Sequence, residues 1–252
     1  MTAGQHSDAV VDRYSALART ALAGQSIRGG DGGASEGCFG PAAYTADEGV
    51  PDDALQVSLG CGNPVAVAGI RPGDTVLDLG SGGGLDVLLS ARRAGPGGLA
   101  YGLDASADML ALARSNADRA GVANARFVHG HIEDIPLPSD HVDVIISNCV
   151  INLCAARARV LAEAYRVLRP GGRLGVSDVI ADENAGPAER ASAERQVGCV
   201  AGTLTASEYR GLLGAAGFAD ISITPTSAAG SYLHSVIIQA VKPPAYPAGP
   251  HR

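Results

Sequence analysis

The stretch Val76-Leu77-Asp78-Leu79-Gly80-Ser81-Gly82-Gly83-Gly84-Leu85-Asp86 reads as a strand, a tight turn and the start of a helix. An apolar run of strand character stops at an acidic residue and turns through closely spaced glycines. It then continues into the helical pattern Leu85-Asp86-Val87-Leu88-Leu89-Ser90-Ala91. Glycine serves there because a ligand must approach backbone N–H groups where a Cβ would collide, and because such turns use positive φ. A dinucleotide fingerprint, G-x-G-x-x-G, would put its third glycine at position 85. That position is Leu85, the glycines follow G-x-G-x-G, and Asp78 stands just before the turn. A carboxylate at that point opposes a pyrophosphate and attracts a cation, so a ligand carrying an ammonium group fits better than one carrying phosphates. The next strand, Leu99-Ala100-Tyr101-Gly102-Leu103, ends in Asp104, placed to accept hydrogen bonds from ribose hydroxyls. With these two strand-terminal acids and this glycine run, the stretch reads as a site for a ligand that offers both ribose hydroxyls and an ammonium group.

Outward from the glycine turn, helical and strand patterns alternate. Helices are predicted over 85–94, 106–120 and 155–168, and strands over 75–79, 99–103, 125–129, 142–147 and 173–180. Pro170-Gly171-Gly172 punctuates the last helix before its strand. Such alternation implies a parallel sheet with right-handed crossovers. A polar helix near 187–197, a helix from Ser207 to Ala216 and two closing strands, at 221–223 and 233–241, complete the pattern. The glycine run with Asp78 and Asp104 resembles the class I S-adenosylmethionine-dependent methyltransferases, whose cofactor offers both a ribose and an ammonium group. The fold class this implies is α/β, a Rossmann-like class I methyltransferase sheet that is mostly parallel with an antiparallel closing strand and has helices on both faces. Upstream, Ser7 can cap an amphipathic helix through Val10, Val11, Tyr14 and Leu17, and residues 24–40 are too rich in glycine to pack a core. Pro64 suits the first turn of a short helix over 65–70. The organisation expected is therefore an arm with a glycine-rich loop over 1–54, a catalytic domain over 55–243 and a tail over 244–252. A lid or substrate segment over 181–217 is inserted before the last two strands.

Composition narrows the function classes. At 252 residues, 46% hydrophobic and 18% charged, with a formal charge of -7, the chain has the profile of a soluble globular protein. Neutralising phosphates needs clustered Lys and Arg, and no basic stripe is visible, so nucleic acid is not an expected partner. With no Trp and only 4% aromatics, base-stacking platforms of the single-strand-binding kind are not expected either. No basic segment followed by an apolar one opens the chain, and no apolar run reaches membrane-spanning length. A cytoplasmic monomer acting on a small molecule, without membrane contact, is the expectation.

The 5 cysteines are odd in number and have no repeated close spacing, which matches neither a disulfide framework nor a C-x-x-C zinc site. In a reducing compartment they would be free thiols, available to a soft ligand. Cys149 closes the fourth strand and so emerges at the carboxyl edge of the sheet, where open α/β folds bind ligands. Cys61 lies just upstream of the glycine-loop strand, and Cys199 lies after the fifth strand in a segment able to fold back over the same edge. A soft electrophile or metalloid suits such thiols better than an alcohol or amine does. By spacing alone, burial as ordinary apolar side chains is an equally good reading.

Three local words, Ser58-Leu59-Gly60-Cys61-Gly62-Asn63-Pro64, Ser147-Asn148-Cys149-Val150-Ile151-Asn152-Leu153 and Cys199-Val200-Ala201-Gly202, together resemble the arsenite methyltransferase family, over roughly residues 55–218. The resemblance implies methyl transfer from S-adenosylmethionine to arsenite or a methylated arsenical, held as a tris-thiolate by Cys61, Cys149 and Cys199. It also implies a thiol reductant of thioredoxin or glutathione type, with Cys38 as a redox partner thiol. Relatives commonly carry adjacent cysteines in the N-terminal arm, whereas Cys38 stands singly in Glu36-Gly37-Cys38-Phe39-Gly40. The cofactor positions implied are Asp78, Gly80, Ser81, Gly82, Asp104, Met109 and Asn148, with Ile132 against the adenine and Glu133 accepting from its amino group. Cys154 reads as a core residue at a helix start or as a spare redox thiol. Two other functions stay open: a methyltransferase of quinone-like carbon or oxygen acceptors, which needs no thiol trio, and a non-enzymatic thiol or metalloid-binding module.

Overall fold

The computed structural model describes residues 3–23, 62–197 and 202–245. In chain order the elements are α1 (Ala3–Leu22), α2 (Pro64–Val67), β1 (Thr75–Leu79), α3 (Leu85–Ala94), β2 (Leu99–Asp104), α4 (Ala107–Ala120) and β3 (Ala125–His129). There follow β4 (Val142–Asn148), a 3-10 turn at Ile151–Leu153, α5 (Arg157–Val167), β5 (Leu168–Ala181), α6 (Pro187–Val197), α7 (Ala206–Ala216), β6 (Ala219–Gly230) and β7 (Leu233–Val241). The 7-stranded sheet has the order β3-β2-β1-β4-β5-β7-β6. Neighbours from β3 through β5 pair in parallel, while β7 lies antiparallel between β5 and β6.

The sheet is covered on both faces, as a parallel sheet requires. Side chains alternate along each strand, so Leu77, Leu79 and Ile145 enter the core shared with α5 and α7. Val76, Val144 and Ile146 enter the one shared with α2 and α3. Chain order reverses between β1 and β4, and the crevice at their carboxyl ends is the place where such sheets bind ligands.

The glycine stretch forms the turn expected of it. The N–H groups of Gly80 and Ser81 both donate to the Leu103 carbonyl, at 2.8 and 3.0 Å, which ties the turn to the end of β2. Gly84, with φ at 86°, caps α3, and the buried Asn116 of α4 donates to the Gly83 carbonyl at 2.8 Å.

Several boundaries differ from the sequence reading for identifiable reasons. The first helix starts at Ala3, so Ser7 lies within it and is not its cap. The short helix ends at Val67, capped by Asn63, whose side chain accepts from the Ala66 N–H. The strand expected from Arg173 already pairs at Leu168. Val142 pairs with Leu168 but Val144 with Arg173, so Pro170-Gly171-Gly172 bulges from a continuing strand. The first closing strand runs on to Gly230 as a largely exposed edge, where no alternation marks it in sequence. The glycine-rich loop expected over 24–40 lies outside the described residues.

Gly102 fixes how closely β2 approaches the turn. A Cβ there would stand 2.7 Å from Ser81 Oγ, 2.8 Å from Val87 Cγ2 and 2.9 Å from Phe127 Cδ1. Overpacking of this kind costs about 1–3 kcal/mol. Gly102→Ala is therefore expected to lower the thermal midpoint by several degrees, at about 2–4 °C per kcal/mol for a chain of this size. A calorimetric scan checks this, and an unchanged midpoint would contradict it.

Candidate active site

Beneath the carboxyl edge of the sheet lies a cavity that collects every residue the sequence assigned to the cofactor. Asp78, Gly80, Ser81 and Gly82 line it from the β1 turn, Asp104 and Met109 from β2 and the start of α4, Ile132 and Glu133 from the segment after β3, and Asn148 from β4. Cys149 lines the same cavity. Cys38, Cys61 and Cys199 lie outside the described residues. Among the described residues no group of three or more His, Cys, Asp or Glu side chains is placed to hold a metal ion, and no helix is long and apolar enough to cross a membrane.

The cavity floor is a cluster of carboxylates, with Asp78 and Asp86 buried and Asp104 half-buried. Burial foremost, and then the neighbouring charges of Asp86 and Asp104, push Asp78 well above the usual carboxylate range. Asp104 is raised by burial too, against the opposing bonds its oxygens accept. Its Oδ2 accepts from the Gly82 N–H and its Oδ1 from the Ser106 N–H, each at 2.8 Å, so this acid also holds the glycine turn. Asp86 was legible only as part of the α3 pattern. The structure places it in the first turn of that helix, where its Oδ2 accepts from Asn148 Nδ2 at 3.2 Å. A carboxylate cluster in a low-dielectric cleft favours a cationic occupant.

Cys149 is set by its backbone. Its φ is 57°, in the left-handed region that a side chain with a Cβ rarely adopts, and its N–H donates to the Ser177 carbonyl at 2.8 Å. Such strain persists only where surrounding contacts over-determine it. Here the contacts come from Val150 and Asn152. Gly80, with φ at 73°, has no side chain, and a Cβ there would stand 2.6 Å from Val150 Cγ2, so the turn after β4 rests directly on the glycine turn. Asn152 Nδ2 donates to Asp178 Oδ1 at 2.9 Å and to the Val179 carbonyl at 2.6 Å. Cys149 is disulfide-bonded, not a free thiol, and its partner is not Cys154, which is free.

Two features escaped the sequence reading. The first is where the expected helix α1 docks: its Val10, Val11 and Tyr14 form an apolar wall of the cavity. It is docked on α4 by Ser15 Oγ against Ser106 Oγ at 2.7 Å and by Arg19 against Asp108 at 2.6 Å. The second is the fully buried Asp178, which also accepts from Tyr209 Oη at 3.0 Å. Burial raises its pKa to about 6, against the hydrogen bonds from Val179, Tyr209 and Asn152.

A methyltransferase domain family matches residues 70–217. The chain thus belongs to that family, and by its fold it is a class I methyltransferase. An arsenite methyltransferase of Halobacterium salinarum is 39% identical over 204 residues, covering 76% of this chain and 52% of the relative. One of Aquipseudomonas alcaligenes is 40% identical over 168 residues, covering 64% and 48% respectively. CrArsM, an arsenic (III) S-adenosylmethionine methyltransferase from Chlamydomonas reinhardtii, superimposes with a TM-score of 0.64 at 32% identity, covering 79% of this chain and 72% of that one. Within its class the chain belongs to the arsenite methyltransferase family. It spans about half the length of the curated relatives it matches.

Asp178 gives the fold a pH signature. Its folded pKa lies above the ordinary 3.8, so between about pH 4 and 6 the folded state holds a proton that the unfolded state has lost. Stability from this group is complete below that window and falls as pH rises through it, by on the order of 3 kcal/mol. In Asp178→Asn the amide oxygen still accepts from Asn152 and Val179, and the Tyr209 hydroxyl turns to accept. Denaturant titrations are expected to show Asp178→Asn gaining on wild type as pH rises from about 4 to 7. Parallel pH profiles for the two proteins would contradict it.

Proposed function

We propose that this chain transfers a methyl group from S-adenosylmethionine to trivalent arsenic held by the thiolates of Cys61, Cys149 and Cys199. The observation that carries this reading is Cys149 itself, held in a strained left-handed conformation at the wall of an acid-floored cavity.

The residues present suit the cofactor. Asp78, disfavoured as a lone anion by burial and by its acidic neighbours, gains a counter-charge from an ammonium and a sulfonium. The Ser81 hydroxyl is buried with no partner among the described residues, and nothing lies within 4 Å of where a Cβ at Gly82 would stand. Both are groups a ligand would meet in a cradle of this kind. In this reading Asp78, Gly80, Ser81, Gly82 and Asn148 take the amino acid end, Asp104 and Met109 the ribose, and Ile132 and Glu133 the adenine. When bound, S-adenosylmethionine supplies a methyl carbon on a sulfonium sulfur, which departs as a neutral thioether.

The chain's own contribution is to hold the acceptor. Thiolates are soft ligands suited to trivalent arsenic, and a tris-thiolate arsenic carries a lone pair and no proton, so no general base is needed. Positioning the lone pair against the methyl carbon then supplies most of the catalysis, for which effective molarities of about 10⁵ M or more are attainable. The turn rigidly seated on Gly80 and Asp178 does that positioning for Cys149. The disulfide at Cys149 must be opened before it can bind arsenic, which calls for a reductant of thioredoxin or glutathione type and hence a reducing compartment such as the cytoplasm. Methylation formally oxidises arsenic to the pentavalent state. Two electrons from a cysteine pair, with Cys38 as the proposed partner thiol, return it to trivalent, and the reductant regenerates the pair.

Purified protein with arsenite, a dithiol reductant and methyl-labelled S-adenosylmethionine is expected to yield labelled methylarsenicals on chromatography. Cys149→Ser is expected to abolish the product while leaving cofactor binding intact. Absence of any labelled arsenical would overturn the proposal.

A further inference from the structure

We infer that Cys154 is a positioning residue for adenine recognition: its thiol donates to Glu133 and leaves the second carboxylate oxygen of Glu133 as the acceptor for the 6-amino group. This inference rests on the cofactor reading above.

Cys154 Sγ lies 2.8 Å from Glu133 Oε1, and Oε2 has no hydrogen-bond partner among the described residues. Both side chains line the cavity, at the end where Ile132 and Leu153 supply an apolar wall for a flat ring. Each partner is also fixed from behind. The Glu133 carbonyl accepts from Arg159 Nε at 2.7 Å, and Cys154 ends the 3-10 turn, its sulfur accepting from the Ala156 N–H at 3.3 Å. A half-buried glutamate with three rotatable bonds loses considerable freedom when it is held in one rotamer. The thiol bond holds it there before a ligand arrives, and such preorganisation favours affinity and selectivity.

The environment of Cys154 fits a donor and opposes a redox role. Burial first, and then the bond to Glu133, push the thiol up to about 12. It therefore stays protonated at neutral pH, and the thiolate that thiol–disulfide exchange requires is scarcely populated. The proton is kept where a carboxylate can accept it.

A carboxylate oxygen accepts from an amino group and cannot accept from the carbonyl that hypoxanthine carries at the same ring position. The test is calorimetric titration of the reduced full chain with S-adenosylhomocysteine and with S-inosylhomocysteine. Wild type is expected to prefer the adenine compound by about a hundredfold, in line with a hydrogen bond to a charged group. Cys154→Ala is expected to lower that ratio by about tenfold, and Cys154→Ser, which restores a donor, to recover most of it. An unchanged ratio in Cys154→Ala, or a ratio lost as fully in Cys154→Ser as in Cys154→Ala, would overturn the inference. Failure of wild type to bind either nucleoside would instead overturn the cofactor reading beneath it.

Discussion

Three carboxylates, Asp78, Asp86 and Asp104, line one cavity at the carboxyl ends of the first two strands and the first turn of α3, and the burial of Asp78 beside its two acidic neighbours is the constraint on which the site depends. Burial and neighbouring charge both oppose ionisation of Asp78, so the arrangement is unfavourable until a positive charge enters. The fold holds it together through the backbone. Asp104 accepts from the N–H groups of Gly82 and Ser106, so an acid of the cavity also pins the glycine turn. Separating the acids would unfasten the turn.

The cysteine turn is built onto this cluster. The turn after β4 sits on Gly80 through Val150 and is fastened to β5 by Cys149, Asn152 and Asp178. Cofactor loop and cysteine turn therefore form one packed unit. Displacing either would move Cys149 relative to the glycine turn, and the proposed methyl transfer depends on that alignment. The α1 wall closes the cavity from the far side with Val10, Val11 and Tyr14.

Much of this is written locally in the chain. The glycine spacing, the strand-terminal acids Asp78 and Asp104 and the alternation of helix and strand can all be read along the sequence. The helix at Pro187–Val197 and the strand at Leu233–Val241 fall at the residues their patterns predict. What could not be read depends on contacts between distant residues. Asn152, Asp178 and Tyr209 meet across separations of 26 and 31 residues. The side chains of α1 read as a generic amphipathic face until Ser106 and Asp108 dock them. The edge strand over Ala219–Gly230 is set by pairing to β7 and carries no hydrophobic alternation of its own beyond its first turn of residues. Cys154 looked like a core residue or a spare thiol, because no local signal announces Glu133 as its partner.

The central claim is that the acid-floored cavity is built for a cationic cofactor. It is tested most directly by titrating the full chain with S-adenosylmethionine in buffers of different ionisation enthalpy, from mildly acidic to neutral pH. A bound cation favours the ionised form of Asp78, so binding should release protons and weaken as the pH falls. Binding without proton release, at an affinity that does not change with pH, would contradict the account.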